Sequence, residues 1–488
     1  MTLPVPILLR ANQSTPLTVD QMDANLSALA QAILDVNTKA TARSLKETFG
    51  ADETGATSSS SSFATALSAL QVIQATPGAA YKVKDVAFTH NQGLIGNLAR
   101  FTAESGGTHM LRMSGYNTEV TDIYLSDGTA LSGAVVFMGE GLGQSLEDAT
   151  MVNVGAGAVK MAPASGSCAT GYLTNVLAYG ITGYGVEMGS SVNDGQFDHV
   201  YLSGQLDYSL GLGRPRSGTI GWWQHTPTVG GLAVGGHTVS GLTCINFTEG
   251  AHLTDAQYTK FSSCTFDSCR SYGLIVDGAS YRISFEDLFV GTTRGIRVSG
   301  SAQVTFDGLT TVLNGVVPPW GQIPFFDASA PFYDITVQNT AQVWINGDEW
   351  HGDKRVFVDP TASLTVSGGQ WMSFRSGGTV NGGTTTFLKP DGVTSVEQDA
   401  TYRVQKDGWL FVGQANQTAA PGTGKFTTYN IRLSGSLALA VVVGDLATGN
   451  TSWAYAVPVL KGQEVSVQVV HDVGAAAAKL EIDVQCLG

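Results

Sequence analysis

Three short phrases in the middle of the chain, "TFDS", "SFED" and "TFDG", place a carboxylate directly after a phenylalanine: Asp267, Glu286 and Asp307. On a strand, side chains alternate between faces, so an inward Phe turns its neighbour outward. Carboxylates stacked in this way crowd like charges. One pKa then rises to make a general acid, and the neighbour acts as base or nucleophile. Glu286 is the candidate acid, with Asp267 or Asp307 as its partner. The same column reads equally as solvated turn chemistry, or as a cation site. Asp198 in "GQFDHV" belongs to the same phrase upstream, with Glu249 and Asp255 as extras. In "RPRSGTIGWWQH", Trp222 and Trp223 are adjacent, so on a strand only one faces inward while the other offers a flat ring. Arg214 and Arg216 beside them suit anionic groups. The alternative is that both indoles fill a groove between subunits. "WINGDEWHGD" sets Trp350 and His351 among Asp348, Glu349 and Asp353. His351 is a candidate base or an ordinary surface histidine.

These residues need a scaffold, and a repeat supplies one. The apolar positions Phe247, Phe266, Phe285, Phe306, Ile345 and Val366 recur at about 20 residues, with one step of 39 that is either one coil with a long insertion or two coils. A second series, Val186, Ala251, Leu274 and Ile296, keeps nearly the same period. Short alternating strands in step, each near a glycine, are the mark of a solenoid. A leucine-rich repeat is excluded because its leucine lattice and its helices are missing. The expectation is a parallel β-helix over 46–390, with like residues stacked at the ~4.8 Å strand spacing. Residues 391–488 carry longer alternating strands with ordinary turns and read as a separate antiparallel, jelly-roll-like sandwich. Residues 1–45 form a third unit. Thr18 and Gln21 make a capping box, and Met22, Leu26, Leu29, Ile33, Val36 and Ala40 form a heptad seam that predicts self-association.

Composition narrows the function. The formal charge is −14 with no basic cluster, which speaks against nucleic acid and anionic membrane. No run of about 18 apolar residues exists for a spanning helix, and "LPVPILL" lacks the basic start of a signal peptide. Five cysteines without paired spacing read as buried thiols, not as a disulfide frame or a zinc site. No cofactor is expected.

Three stretches together resemble a bacteriophage tailspike built on the pectate-lyase-like right-handed parallel β-helix. In "LLRANQSTPLTVDQMDANLSAL", Pro16, Leu17, Thr18, Asp23 and Asn25 match the N-terminal phrase of phage tail fibres and spikes. In "FGADETGATSS", Phe49, Gly50, Ala51, Gly55 and Thr57 match the entrance of the β-helix, while Ser58 and Ser59 replace its paired Asp. This resemblance implies a capping segment at 47–78. "YRVQKDGWLFV" and "VPVLKGQEVSVQV" are similar to strands of trimeric jelly rolls of the C1q and tumour-necrosis-factor type. The resemblance implies a homotrimer in the virion tail, held by its N-terminus to the phage tail, baseplate or another tail protein. It implies host attachment through bacterial surface polysaccharide (capsule, O-antigen or exopolysaccharide) and depolymerase activity, a glycoside hydrolase before a lyase. A non-catalytic adhesin is the alternative, and a cellular pectin-degrading enzyme a remoter one. Neighbouring coils would put carboxylates ~5 Å or ~10 Å apart, near the spacings of retaining and inverting glycosidases.

Overall fold

The computed structural model describes residues 45–163, 168–209, 213–226, 234–292, 294–313, 333–347, 350–351, 356–359, 361–389, 392–405, 407–443, 449–450 and 456–487. The tail-fibre phrase, the capping box and the heptad seam lie outside these residues, as do Asp348, Glu349 and Asp353.

Parallel strands wind into a β-solenoid of about 11 turns. Each coil has three faces. On the first, Leu94, Val120, Leu146, Leu173, Phe197, Val239, Phe261, Phe285, Phe306, Ile345 and Val366 stack inward, one per coil. The second carries Tyr124, Thr150, Leu177 and Tyr201 outward. The third stacks Val159, Val186, Trp222, Ala251, Leu274, Ile296 and Ile335 inward. Backbone hydrogen bonds run from coil to coil, and the column of rings at Phe261, Phe285 and Phe306 stacks with centroids 4.7 and 5.3 Å apart. The 39-residue step is one coil with an insertion, since Phe306 pairs directly with Ile345.

Corners need a backbone that turns sharply without breaking the ladder. Between the first and second faces this falls to one left-handed residue per coil, among them Asp148, Asn175, His199, Ser263 and Asp287, with φ of 49–53°. Asn and Asp tolerate that region because their short side chains bond locally. Here they bond the next coil as well, Asn175 Nδ2 donating to Asp148 Oδ1 at 2.9 Å.

The entrance forms as expected, with one difference. Helix α1 (Leu45–Phe49) leads to helix α2 (Ser60–Ala69), which lays Phe63 over Tyr81 and Phe101 and closes the first coil. Ser59 stands at the N-cap but does not cap. Its hydroxyl bonds the backbone of Asp52 instead. Asp52 carries the acidic role of the motif, accepting hydrogen bonds from Thr54 and Thr57, which hold its carboxyl far below the usual range.

The last solenoid strand is Ser363–Ser367. Gln370–Arg375 already pairs antiparallel with Leu480–Leu487, so the change of architecture comes about 20 residues before the expected boundary at 390. The reason is that "SFR" (373–375) alternates as well in an antiparallel ladder as in a solenoid strand. This 11-stranded sheet nearly closes on its own core, which includes Tyr429, Ile431, Val467 and Ile482. All five cysteines are buried, and none forms a disulfide.

The ring column predicts its own test. Phe285→Ala removes a fully buried ring between two others and is expected to cost ~3–5 kcal/mol, read by equilibrium unfolding in guanidinium. Asp287→Gly at the adjacent left-handed corner should be close to neutral, because glycine takes that backbone conformation without strain.

Candidate active site on the third face

The expected acidic column exists in part. Glu286 pairs in register with Asp307, and the first-face column continues through Glu147, Thr174, Asp198, Ser240 and Ser262 to Glu286. Asp267 is not in it. It lies on the second face, between Ile245 and Gly291 of the neighbouring coils, and its carboxylate accepts from the amide of Ser268. The coil before Phe285 is marked by Phe261, not Phe266. Both faces carry an aromatic followed by a polar residue, so the aligned phrases slid from one face to the other. The remaining members are partnered at the surface. Glu286 Oε1 meets Lys260 Nζ at 2.7 Å, Asp307 Oδ1 accepts from Asn346 Nδ2 at 2.9 Å, and Asp198 meets His199 at 2.9 Å. Half-exposed pairs of this kind contribute little and stay close to solvent.

Of the tryptophans, Trp222 is fully buried against Phe197 and Phe261, and Trp350 is buried with its indole N–H donating to Thr311. Neither can stack on a ligand, because in each strand that position points into the solenoid. Adjacency required one of the pair to face outward, and it is Trp223. His351 is exposed beside Thr310 on the second face, away from Trp223. Arg214 and Arg216 sit on a small hairpin, Leu206–Asp207 with Arg214–Pro215, at the edge of the third face.

The third face holds the densest chemistry among the described residues. Its outward column runs Lys160, Glu187, Trp223, His252, Ile275, Arg297, one coil each. Lys160 Nζ sits 2.9 Å from both oxygens of Glu187, and His225 Nε2 lies 3.1 Å from Glu187 Oε1. The His225 ring stacks on Trp223 at 3.9 Å, tilted by 17°. One coil on, His252 is held from both sides, Nδ1 by Glu249 Oε2 at 2.9 Å and Nε2 by Asp277 Oδ2 at 3.1 Å. Thr254 donates to the other oxygen of Asp277 at 2.7 Å.

Burial perturbs these groups, and their partners decide the direction. Burial alone would lower the pKa of His252, but the hydrogen bonds to Asp277 and Glu249 more than reverse it and leave it raised to about 9. Burial would raise Glu187, yet the bonds from His225 and Lys160 hold it below the usual carboxylate range. Asp277 is lowered in the same way by His252 and Thr254. Tyr184, beside Glu187, is pushed up by burial and by that charge. At neutral pH the face therefore offers an imidazolium between two carboxylates, and a second imidazole oriented by a third carboxylate. That is an acid/base set next to a flat aromatic platform.

Trp223 and Glu249 were singled out from the sequence; Glu187, His225, His252 and Asp277 were not. The signal was present, since the residue after each inward position of the second series, Val186, Ala251 and Ile296, is Glu187, His252 and Arg297.

The sequence matches no family model and no curated protein. Solved structures of similar fold include the enzymatically active domain of tailspike protein 2 of bacteriophage CBA120, at 11% identity over 89% of this chain and 79% of that one, TM-score 0.46. The ORF18 protein of Geobacillus virus E2 matches at 12% identity over 89% and 79%, TM-score 0.48. An alginate lyase from a Paenibacillus species matches at 12% identity over 63% of this chain and 97% of that one, TM-score 0.38. These likenesses concern the fold.

The pairing at His252 carries a pH prediction. A folded pKa of about 9 against an ordinary 6.5 means the stabilisation is complete below pH ~6.5 and is lost as pH rises through about 9. Tm should fall across that window, and His252→Gln should flatten the fall. The histidine proton signals followed by NMR should show a titration with its midpoint near 9 that disappears in the variant.

Proposed function

We propose that this chain is the subunit of a trimeric bacteriophage tailspike that binds a bacterial surface polysaccharide and cleaves it on the third face of the solenoid. The observation that carries the reading is the convergence of Glu187, His225, Glu249, His252 and Asp277 from four consecutive coils around the outward, half-buried ring of Trp223. Trp223 offers a sugar its apolar face. His252, kept charged at neutral pH by Glu249 and Asp277, turns its Nε2–H from Asp277 to the glycosidic oxygen and protonates it as the C–O bond breaks, while Glu249 stays on Nδ1. His225, oriented by Glu187, takes a proton from water as the water oxygen bonds the anomeric carbon. The carboxylates flanking His252 also stabilise positive charge developing on the sugar ring. The spike phrases at the N-terminus and the β-helix entrance support virion attachment and trimerisation.

A second reading, a non-catalytic adhesin, draws on one feature: Glu187, Glu249 and Asp277 are all already bonded to protein groups. Incubation with capsules and lipopolysaccharides of candidate hosts separates the two. New reducing ends without ultraviolet-absorbing unsaturated sugars are expected, and both His252→Gln and His225→Gln should slow their release by ~10²–10⁴-fold. Glu286→Gln should keep the parent rate; its inactivity beside an active His252→Gln would move the site to the first face. Binding with no product would make the protein an adhesin. Unsaturated ends would mean elimination, with His225 abstracting a carbon-bound proton.

A further inference from the structure

One edge of the third face gathers arginines in a chain whose formal charge is −14. Arg216, Thr248, Ser271 and Arg294 occupy successive steps of one turn column. Thr248 Oγ1 donates to the carbonyl of Arg216, the amide of Ser271 to Thr248, and the amide of Arg294 to Ser271. Arg270 adjoins Ser271, and the hairpin brings in Arg214. Next to this edge, Arg294 and Arg297 both lie over the ring of Tyr272, at 5.8 and 5.1 Å from its centroid. Neutralising the acid/base cluster does not account for Arg297 or Arg214. Lys160 already pairs with Glu187, and His252 already pairs with Glu249 and Asp277. Arg297 reaches Asp277 only at 3.9 Å, and its Nε is buried without a hydrogen-bond partner, as is Nε of Arg214.

Resting on the reading of this face as a polysaccharide site, we infer that the polymer it takes is anionic, with sugar carboxylates read by the arginine edge while the ring beside them meets Trp223. A guanidinium presents planar paired donors that match a carboxylate. Arg297, one coil beyond Asp277 in the outward column of His252, is placed to hold the carboxylate of the residue next to the scissile bond. Tyr272 fixes the planes of Arg294 and Arg297 and limits the rotamer freedom that binding would otherwise remove. The rest of the acidic surface repels such a polymer, which confines it to this edge.

The test uses the full-length protein and a panel of purified polymers, half bearing uronic acids and half neutral, with each acidic polymer also supplied in carboxyl-reduced form. Binding is expected only in the acidic set. It should weaken steeply with salt, and carboxyl reduction or Arg297→Gln should weaken it roughly ten- to a hundred-fold. Arg297→Lys should recover only part of the loss, because a point charge lacks the fork. An unchanged melting curve shows that each variant is folded. Binding of neutral polymers, or binding indifferent to carboxyl reduction, overturns the arginine assignment and leaves the polysaccharide reading standing. Failure to bind any polymer refutes both. The His252→Gln variant separates recognition from chemistry: it should still prefer acidic over neutral polymers and release product ~10²–10⁴-fold more slowly than the parent.

Discussion

The backbone hydrogen bonds of the solenoid run from each coil to the next, and this one constraint organises everything else. Each strand residue has a counterpart one strand spacing away, so side chains are arranged in columns. An inward column must be apolar and of fitting volume along its length, as Phe261, Phe285 and Phe306 are. An outward column sets residues far apart in sequence side by side. Glu187 and His225, or His252 and Asp277, meet across 38 and 25 residues because register places them there. No loop has to fold over to make those contacts.

This origin explains the character of the third face. Its groups stand on strands whose inward neighbours are locked in the core, so the site is held rigidly before any ligand arrives. Alternation fixes Trp223 outward by fixing Trp222 inward against Phe197 and Phe261. Removing Glu187 or His252 would strip the partners on both of its sides, which costs more than a single pair contributes. The cluster is therefore coupled, and both carboxylates contribute to keeping His252 charged.

Much of the fold was legible because periodicity reports alternation and coil length directly. The solenoid and the antiparallel C-terminal sheet followed from spacing, the capping helix from the resemblance at the β-helix entrance, and adjacency fixed that one of Trp222 and Trp223 faces out without saying which. Absolute register did not. A coil here is 21 to 27 residues without insertions, and Phe266–Asp267 on the second face copies the aromatic–polar phrase of the first face. Matching phrases therefore joined Phe266 to Phe285 when the hydrogen-bonded partner is Phe261. That error placed Asp267 beside Glu286. The second series had the right register from Ala251 to Ile296, and its outward neighbours give half of the cluster. The other half, His225 and Asp277, sits two residues further along each strand and is recognisable only once side chains are seen to converge.

The two acidic columns show why residue type alone does not identify a site. On the first face Glu286 has a side chain 45% exposed, met by a single lysine. On the third face Glu187 is 7% exposed and meets a lysine and a histidine together. Water screens the first pair, so its charges act nearly independently of each other and of anything bound nearby. Burial on the third face strengthens the hydrogen bonds and charge pairs within the cluster, and these, against the direction of desolvation itself, lower the proton affinities of Glu187 and Asp277 and raise that of His252. A proton can then be held at one nitrogen and withheld from a carboxylate a few ångströms away. That separation of proton affinities comes from burial and partners, and it is the property that gives the third face its capacity for acid/base work.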